Sequence, residues 1–444
     1  MKTSIQFINH ASVVVSDGET VVLSDPWYTG DAFHKGWNLL HETSAQEVLS
    51  MLDTITHIWI SHEHPDHFSI SFFKSYADKI KERSIKILFQ TTKDKRVLKF
   101  LSAQGFDVQE LDFNKQTSLS SNFTVTCIKD GFYDSGLLIE SNDEKILNLN
   151  DCEVTTDNRV NEVFSITGEV DVLLTQFSFA AWKGGKENKR WRDEAAAEKI
   201  NTMRLQIRKF NPKVVIPFAS FVYFSNVENF YLNDAVNKPI DLIKKLGNDS
   251  KNLIIMAPFD KLDENGLSAT GDALDFWERK YAEIEPVNQY EINQIEQLRE
   301  SFDQYCRRIL QNNNMNLINI LRTLSPIKVF KPCLVNLNDL DVTIKFDYVR
   351  KSFEKTHEEA QVSMQSESLN FIFKNSFGFD TLTVNGCFEE VAKNGFVSAT
   401  KTLAIENLNN LGIKIELKTL FNFSIIKLFL TRLYRVTRRI QGQR

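Results

Sequence analysis

The chain has 444 residues, 42% of them hydrophobic and 25% charged, which is ordinary globular composition at a length that favours two domains over one core. A net charge of −5 provides no electrostatic footprint for bulk nucleic-acid binding, and 34 Phe against 17 Gly and 9 Pro argues for packed elements over linker character. No window reaches about 18 uninterrupted apolar residues, so no membrane span is expected. Met1-Lys2-Thr3-Ser4-Ile5 has no apolar leader core, and Cys127, Cys152, Cys306, Cys333 and Cys387 read as scattered reduced thiols, so a cytoplasmic location is expected.

In chain order, Ile5–Ile8, Ser12–Val15 and Val21–Leu23 are apolar runs, the last two joined by Asp17-Gly18, a hairpin signal because Gly accepts positive φ. Ser24-Asp25-Pro26-Trp27 ends the sheet, since Pro cannot extend a ladder. An aromatic loop over 27–42 follows, carrying Trp27, His34, Trp37 and His41. A helix is expected over Ala45–Leu52, a strand entering His62, a helix over Ile70–Ile80, a strand over Ser84–Phe89 and a helix over Lys95–Leu101. Strands are expected at Phe123–Ile128, Gly136–Glu140, Lys145–Asn150, Val170–Thr175, Val214–Pro217 and Leu253–Met256. Ile200, Met203, Ile207 and Phe210 give the three-and-four spacing of an amphipathic helix over Glu194–Phe210. Alternating strands and helices of this kind predict a layered α/β domain over 1–286. From 287 to 444 the pattern becomes mixed α+β, with a charged helix over Glu291–Gln311 and no ligand cluster. The terminal stretch Phe423–Ile440 reads as a helix with Arg432, Arg435, Arg438 and Arg439 on one side. A solvated basic face is its simplest reading, and a peripheral membrane contact the sharper one.

Chemistry concentrates in Ser61-His62-Glu63-His64-Pro65-Asp66-His67. Three of the eight histidines and Asp66 fall within six residues at the end of the apolar run Ile55–Ile60. Side chains alternate along a straight strand, so a turn is needed to aim His62, His64, Asp66 and His67 at one point. Imidazole and carboxylate together suit one or two divalent ions, Fe or Zn, with Mn a third choice. Asn150-Asp151-Cys152 brings another carboxylate to a strand end. Asp66 or Asp151 would orient an attacking water under hydrolytic chemistry. The candidates for substrate contact are His10, Trp27, His34, Trp37 and Trp182, together with the cations Lys183, Lys186 and Arg190 for a phosphate or carboxylate.

These motifs resemble the metallo-β-lactamase superfamily. Ser24–Trp27, Ala32–Glu42, Ile60–His67, Asn150–Cys152 and Ile216–Ser220 together are similar to the catalytic part of the CMP-N-acetylneuraminate hydroxylase family. The resemblance implies a four-layer αβ/βα sandwich, with His62 and His64 on one metal, Asp66 and His67 on a second, and Asp151 bridging. It also implies a sugar-nucleotide or acidic-sugar substrate. That family uses an attached Rieske domain and an electron-supplying partner. This chain has no Cys-x-His or Cys-x-x-Cys pair, so no Fe–S cluster is expected in it, and electrons would come from a separate donor protein. Only His357 follows residue 67, so the two later histidines of the superfamily's hydrolases are missing, and the strand end for the last one reads Pro217-Phe218-Ala219-Ser220. Asp130, Asp134 and His10 are the substitutes available. A metallo-hydrolase of phosphodiester, ester or amide bonds, and a non-catalytic binding module with a degenerate metal site, are the competing expectations.

Overall fold

A computed structural model describes residues 2–325 and 328–417; the basic helix expected over Phe423–Ile440 lies outside the described residues. Two sheets form the centre of the first half. One has eight strands, and six of them run Ser4–Asn9, Ser12–Ser16, Val21–Ser24, His57–Ile60, Lys86–Gln90 and Val108–Leu111 in spatial order to one edge. The first three pair antiparallel, the first two joined at His10-Ala11 and the second and third through the Asp17-Gly18 turn, and the last four run parallel. The other sheet has six strands, with Phe123–Asp130, Asp134–Ser141 and Glu144–Asn148 antiparallel and Val172–Gln176 and Val214–Phe218 added in parallel.

Side-chain alternation builds the layers. Phe7, Val13, Val15, Val22, Trp59 and Leu88 point from the first sheet into a core shared with Val125, Leu137, Ile139, Ile146, Val172 and Leu174 of the second. Ile8, Val14, Leu23, Ile58, Ile60 and Ile87 take the opposite face, beneath helices Ala45–Leu52, Ile70–Ser75, Ala77–Glu82 and Arg96–Ala103. Leu138, Leu147 and Leu173 face Val160 and Val163 of helix Asp157–Thr167 and Phe210 of helix Lys189–Phe210. Helix, sheet, sheet, helix is the four-layer sandwich expected.

Three elements differ from expectation, the first being the loop over 27–42, whose Asp31–Ala32 and Trp37–Leu39 join Val222–Phe224 in a small three-stranded sheet. The helix expected over Ile70–Ile80 is two short helices broken at Tyr76, whose φ of −109° and ψ of 15° leave the helical region. Leu253–Met256 is not a strand: Leu253 makes one isolated bridge to Val215 and the chain then turns away, because Asp260 draws the backbone of Ala257 and Thr270 into a tight loop.

Residues 295–417 carry a five-stranded sheet centred on Cys333–Leu337 and Val342–Asp347, with helices Ile295–Asn312, Ser366–Lys374, Gly378–Asn385 and Gly395–Leu403. Their core is continuous with the aromatic loop: Phe33, Trp37 and Trp182 pack in the same cluster as Phe302, Phe373 and Phe388. Asn385 Nδ2 donates to Phe33 O (3.0 Å) and Tyr290 Oη to His34 O (2.8 Å). Phe33, His34 and Lys35 all have φ between 51° and 58°, a left-handed turn held by these long-range bonds. Gly36 is required just beyond it, since a Cβ there would meet Asn385.

Candidate metal centre

Strand ends from both sheets meet at one edge of the sandwich, where His10, Asp25, Asn150 and Ala219 all have positive φ. Ser61 leaves strand His57–Ile60 with its amide donating to Asp25 Oδ1 (2.7 Å). A tight turn follows, in which the amides of His67 and Phe68 donate to His64 O at 3.0 and 2.7 Å. That turn supplies the convergence a straight strand could not.

His62 Nε2 lies 2.9 Å from His64 Nδ1, 3.7 Å from Asp134 Oδ1 and 3.8 Å from Asp151 Oδ2. His67 Nε2 lies 3.6 Å from Asp151 Oδ2 and 3.4 Å from Asp66 Oδ2, which is itself 3.4 Å from His10 Nε2. Three groups therefore bring one ligand atom per residue within 4.8 Å of each other: His62, His64 and Asp134; His10, Asp66 and His67; and His62, His67 and Asp151 between them. Asp66 Oδ1, Asp151 Oδ1 and His10 Nδ1 are buried without a hydrogen-bond partner. A buried carboxylate oxygen left so is costly unless a cation takes it, and the donor set fits two divalent ions.

Asp25 orients the set. Its Oδ2 accepts from His67 Nδ1 (2.9 Å) and from Ser61 Oγ (2.8 Å), and Ser61 Oγ in turn faces His62 Nδ1 at 2.9 Å. With both Nδ1 atoms engaged behind the cluster, His62 and His67 present Nε2 forward, the usual carboxylate support of a metal-binding imidazole. The charge balance without metal is lopsided. Burial works against a charged His67, but Asp66, Asp151 and Asp25 outweigh it and hold the imidazolium well above its ordinary value. Burial and the charge on His67 push His62 well below. Burial, reinforced by Asp151, raises Asp134 to about 7.

Two cavities open on this edge. One, of about 590 Å³, is mostly apolar and lined by Trp27, Phe33, His34, Phe68, Phe100 and Phe371. The other, of about 990 Å³, is polar and includes Asp134, Arg159, Lys183 and Lys199. His64, Tyr133, Asp380 and Asn410 line both, so the cavities meet in a waist at His64.

Of the residues singled out from sequence, His62, His64, Asp66, His67 and Asp151 converge. Among the three substitutes, His10 and Asp134 join them, whereas Asp130 accepts from Arg159 Nε (3.0 Å) and from the Glu153 amide (2.6 Å). His10 lies beside Asp66 and lines neither cavity: it is 2% exposed, and its carbonyl accepts from Ala219 N (2.7 Å), beside the strand end that lacks a histidine. Trp27 and His34 line the apolar cavity and Lys183 the polar one. His34 is also wedged between Tyr290 and Phe371, with ring centroids 5.0 and 3.9 Å away. Trp37 and Trp182 line neither cavity. Trp37 packs on Phe33 and Phe224, and Trp182 on Phe388, Phe396 and Trp191, so both are held in the core that the loop shares with the C-terminal residues. Arg190 pairs with Glu194 on the surface, and Lys186 lies over the Tyr231 ring. Sequence reasoning assigned no role to Asp25, Tyr133, Lys199 or Asp380; only Asp25 carried a signal, as an acid at a strand end immediately before Pro.

Residues 4–219 match a family described as "Beta-lactamase superfamily domain". This half of the chain is a beta-lactamase superfamily domain. The chain is 23% identical over 273 residues to "Cytidine monophosphate-N-acetylneuraminic acid hydroxylase" of Danio rerio, covering 57% of this chain and 44% of that protein. It thus spans less than half the length of that curated relative. Among solved structures it is similar to "CmlA, a diiron beta-hydroxylase from Streptomyces venezuelae" (16% identity, TM-score 0.40, 58% of this chain and 53% of that one). It is also similar to "Igni18, a novel metallo hydrolase" from Ignicoccus hospitalis (13% identity, TM-score 0.41, 58% of this chain and 97% of that one). No helix among the described residues is long and apolar enough to cross a membrane.

Proposed function

We propose that this chain is a dinuclear metalloenzyme that hydroxylates a sugar-nucleotide or related acidic sugar. One divalent ion would be held by His62, His64 and Asp134, a second by His10, Asp66 and His67, with Asp151 reaching both. The observation that carries this is the pair of three-residue groups joined through His62, His67 and Asp151, with Asp66 Oδ1 and Asp151 Oδ1 buried and unpartnered. When bound, a redox-active pair such as iron supplies electrons to dioxygen, whereas zinc supplies Lewis acidity. Three carboxylates and four imidazoles favour iron or manganese over an imidazole-rich dizinc set. Kinship with hydroxylases over 57% of the chain favours the oxygenase reading and its substrate class.

The chain's own residues divide the remaining work. Asp25 and Ser61 fix the rings of His67 and His62. The aromatic wall of Trp27, Phe33, Phe68 and Phe100 keeps bulk water from the approach to His64. Residues 287–444 act as an accessory unit: Phe371 and Asp380 close the cavities over the beta-lactamase domain. Reducing equivalents would come from a separate donor protein.

The test is metal content by mass spectrometry, followed by turnover of CMP-N-acetylneuraminate with and without O₂ and a reductant. About two irons per chain with turnover that needs both supports the oxygenase. Zinc with O₂-independent hydrolysis would favour the metallo-hydrolase instead, the reading that the superfamily match itself supports. No stoichiometric metal, with ligand binding unaffected by His64→Ala, would leave only a binding module.

A further inference from the structure

Helix Lys189–Phe210 presents Ala195, Glu198, Lys199 and Thr202 to the polar cavity, at the i, i+3, i+4, i+7 spacing of a single helix face. The other cations along this helix are engaged. Lys189, Arg190, Arg192, Arg204 and Arg208 each pair with a carboxylate, and Lys209 lies over the Phe164 ring at 4.4 Å. Lys199 differs. Its Nζ donates to the side-chain oxygen of Gln176, a neutral amide, and among the described residues it forms no ion pair. An ammonium has three donors, so a half-buried lysine with one neutral acceptor has capacity left for an anion.

Its surroundings place that capacity beside the reacting centre. Gln176 ends strand Val172–Gln176, and its amide donates to the carbonyl of Asn150, the residue before Asp151. Across the cavity Arg159 is already occupied by Asp130 and Glu162. Asp151, and after it Glu153 and Glu198, act on Lys199 through space without forming an ion pair with it, and burial lowers its affinity for a proton. Beyond the waist at His64 the lining turns apolar, with Phe33, Phe68, Phe100 and Phe371.

We infer that Lys199 anchors an anionic group of the substrate, a carboxylate or a phosphate, while the rest of the molecule crosses the waist at His64 and places an apolar or aromatic group among the phenylalanines. The inference takes its reacting centre from the metalloenzyme reading above and adds the substrate's polarity and direction.

The test uses the full chain, metal-loaded, titrated calorimetrically with two probes: cytidine 5′-monophosphate for the phosphate and N-acetylneuraminate for the carboxylate. Lys199→Met is expected to weaken at least one probe by about tenfold or more, and Lys199→Arg to restore most of it. Arg190→Gln, on the exposed face of the same helix, is expected to change neither. Whichever probe responds identifies the anion. Equal affinity of wild type and Lys199→Met for both probes would overturn the proposal, as would wild type binding neither. Loss of metal from Lys199→Met together with probe affinity would also overturn it, making the lysine a support of the cluster. Running the series on chelator-treated protein separates this from the metalloenzyme reading: failure of wild type to load metal contradicts that reading, while a Lys199-dependent affinity that persists supports the anchor.

Discussion

The two proposed ligand triads differ in what surrounds them. His10, Asp66 and His67 are all buried, and His10 and His67 reach neither cavity. His64 and Asp134 are only partly covered, and His64 faces both cavities. The closed triad is assembled from a turn after the first strand and from the far end of the His-x-His-x-Asp-His motif, and the Asp25 carboxylate backs it. The open triad uses the near end of that motif and the first residue of strand Asp134–Ser141. One set of donors is therefore sealed in the sandwich and the other offered to a ligand. Under the proposed function, an ion in the closed triad would stiffen and charge the site, and one in the open triad would meet the substrate.

The heaviest blow to both triads at once is Asp151→Ala. It removes the carboxylate lying 3.8 Å from His62 and 3.6 Å from His67. Metal affinity is expected to fall by more than about 100-fold at both positions, with activity lost, as read by metal content after dialysis. Retention of two ions would show that the triads are independent.

Next come the single-triad variants. His64→Ala is expected to leave about one ion per chain and no turnover. His10→Ala is also expected to leave about one ion, but with residual turnover, because the open face keeps its donors. Equal turnover in the two variants would erase the distinction between open and closed triads.

Asp25→Asn acts one step back. It keeps the size of the side chain but removes the charge behind His67, and about 10- to 100-fold weaker metal binding is expected, mostly at the closed position. A competition titration with a chromophoric chelator reads this directly, and an unchanged affinity would argue against Asp25 as the support.

The smallest effect is in protons. Without metal, His67 and His64 are raised above the ordinary imidazole value and Asp134 stands at about 7. These groups hold protons at neutral pH that a divalent ion must displace, so binding releases protons and tightens as pH rises. About two protons per metal pair at pH 7 are expected from calorimetry in buffers of different ionisation enthalpy. Proton uptake would carry the wrong sign for this ligand set.

Much of this site was legible in the chain because it is local. Asp17-Gly18 specified the hairpin between the second and third strands, the apolar run to Ile60 specified a buried strand, and four potential donors in six residues marked the turn after it. Asp151 was recognisable as an acid at a strand end. Asp25 and Asp134 were harder, because their roles depend on which strands become neighbours, and nothing around either residue states that Ser61 or His62 will lie beside it. His10 was open to two roles in the sequence, substrate contact or substitute ligand, because its proximity to Asp66 arises only when the turn between the first two strands meets the strand end at Ala219. Trp37 and Trp182, which line neither cavity, were illegible for another reason. An aromatic side chain in a loop reads the same whether it faces a ligand or a core, and the partners that bury Trp182, Phe388 and Phe396, come from some two hundred residues later. Leu253–Met256 has the composition of a strand, but Asp260 turns the chain away after one bridge to Val215.

Anomalous scattering at the iron and zinc edges from crystals of metal-loaded protein tests the central claim most directly. Two peaks are predicted, one bounded by His62, His64 and Asp134 and the other by His10, Asp66 and His67, with Asp151 between them. A single peak, or a second ion that leaves His10 uncoordinated, would contradict the two-triad account.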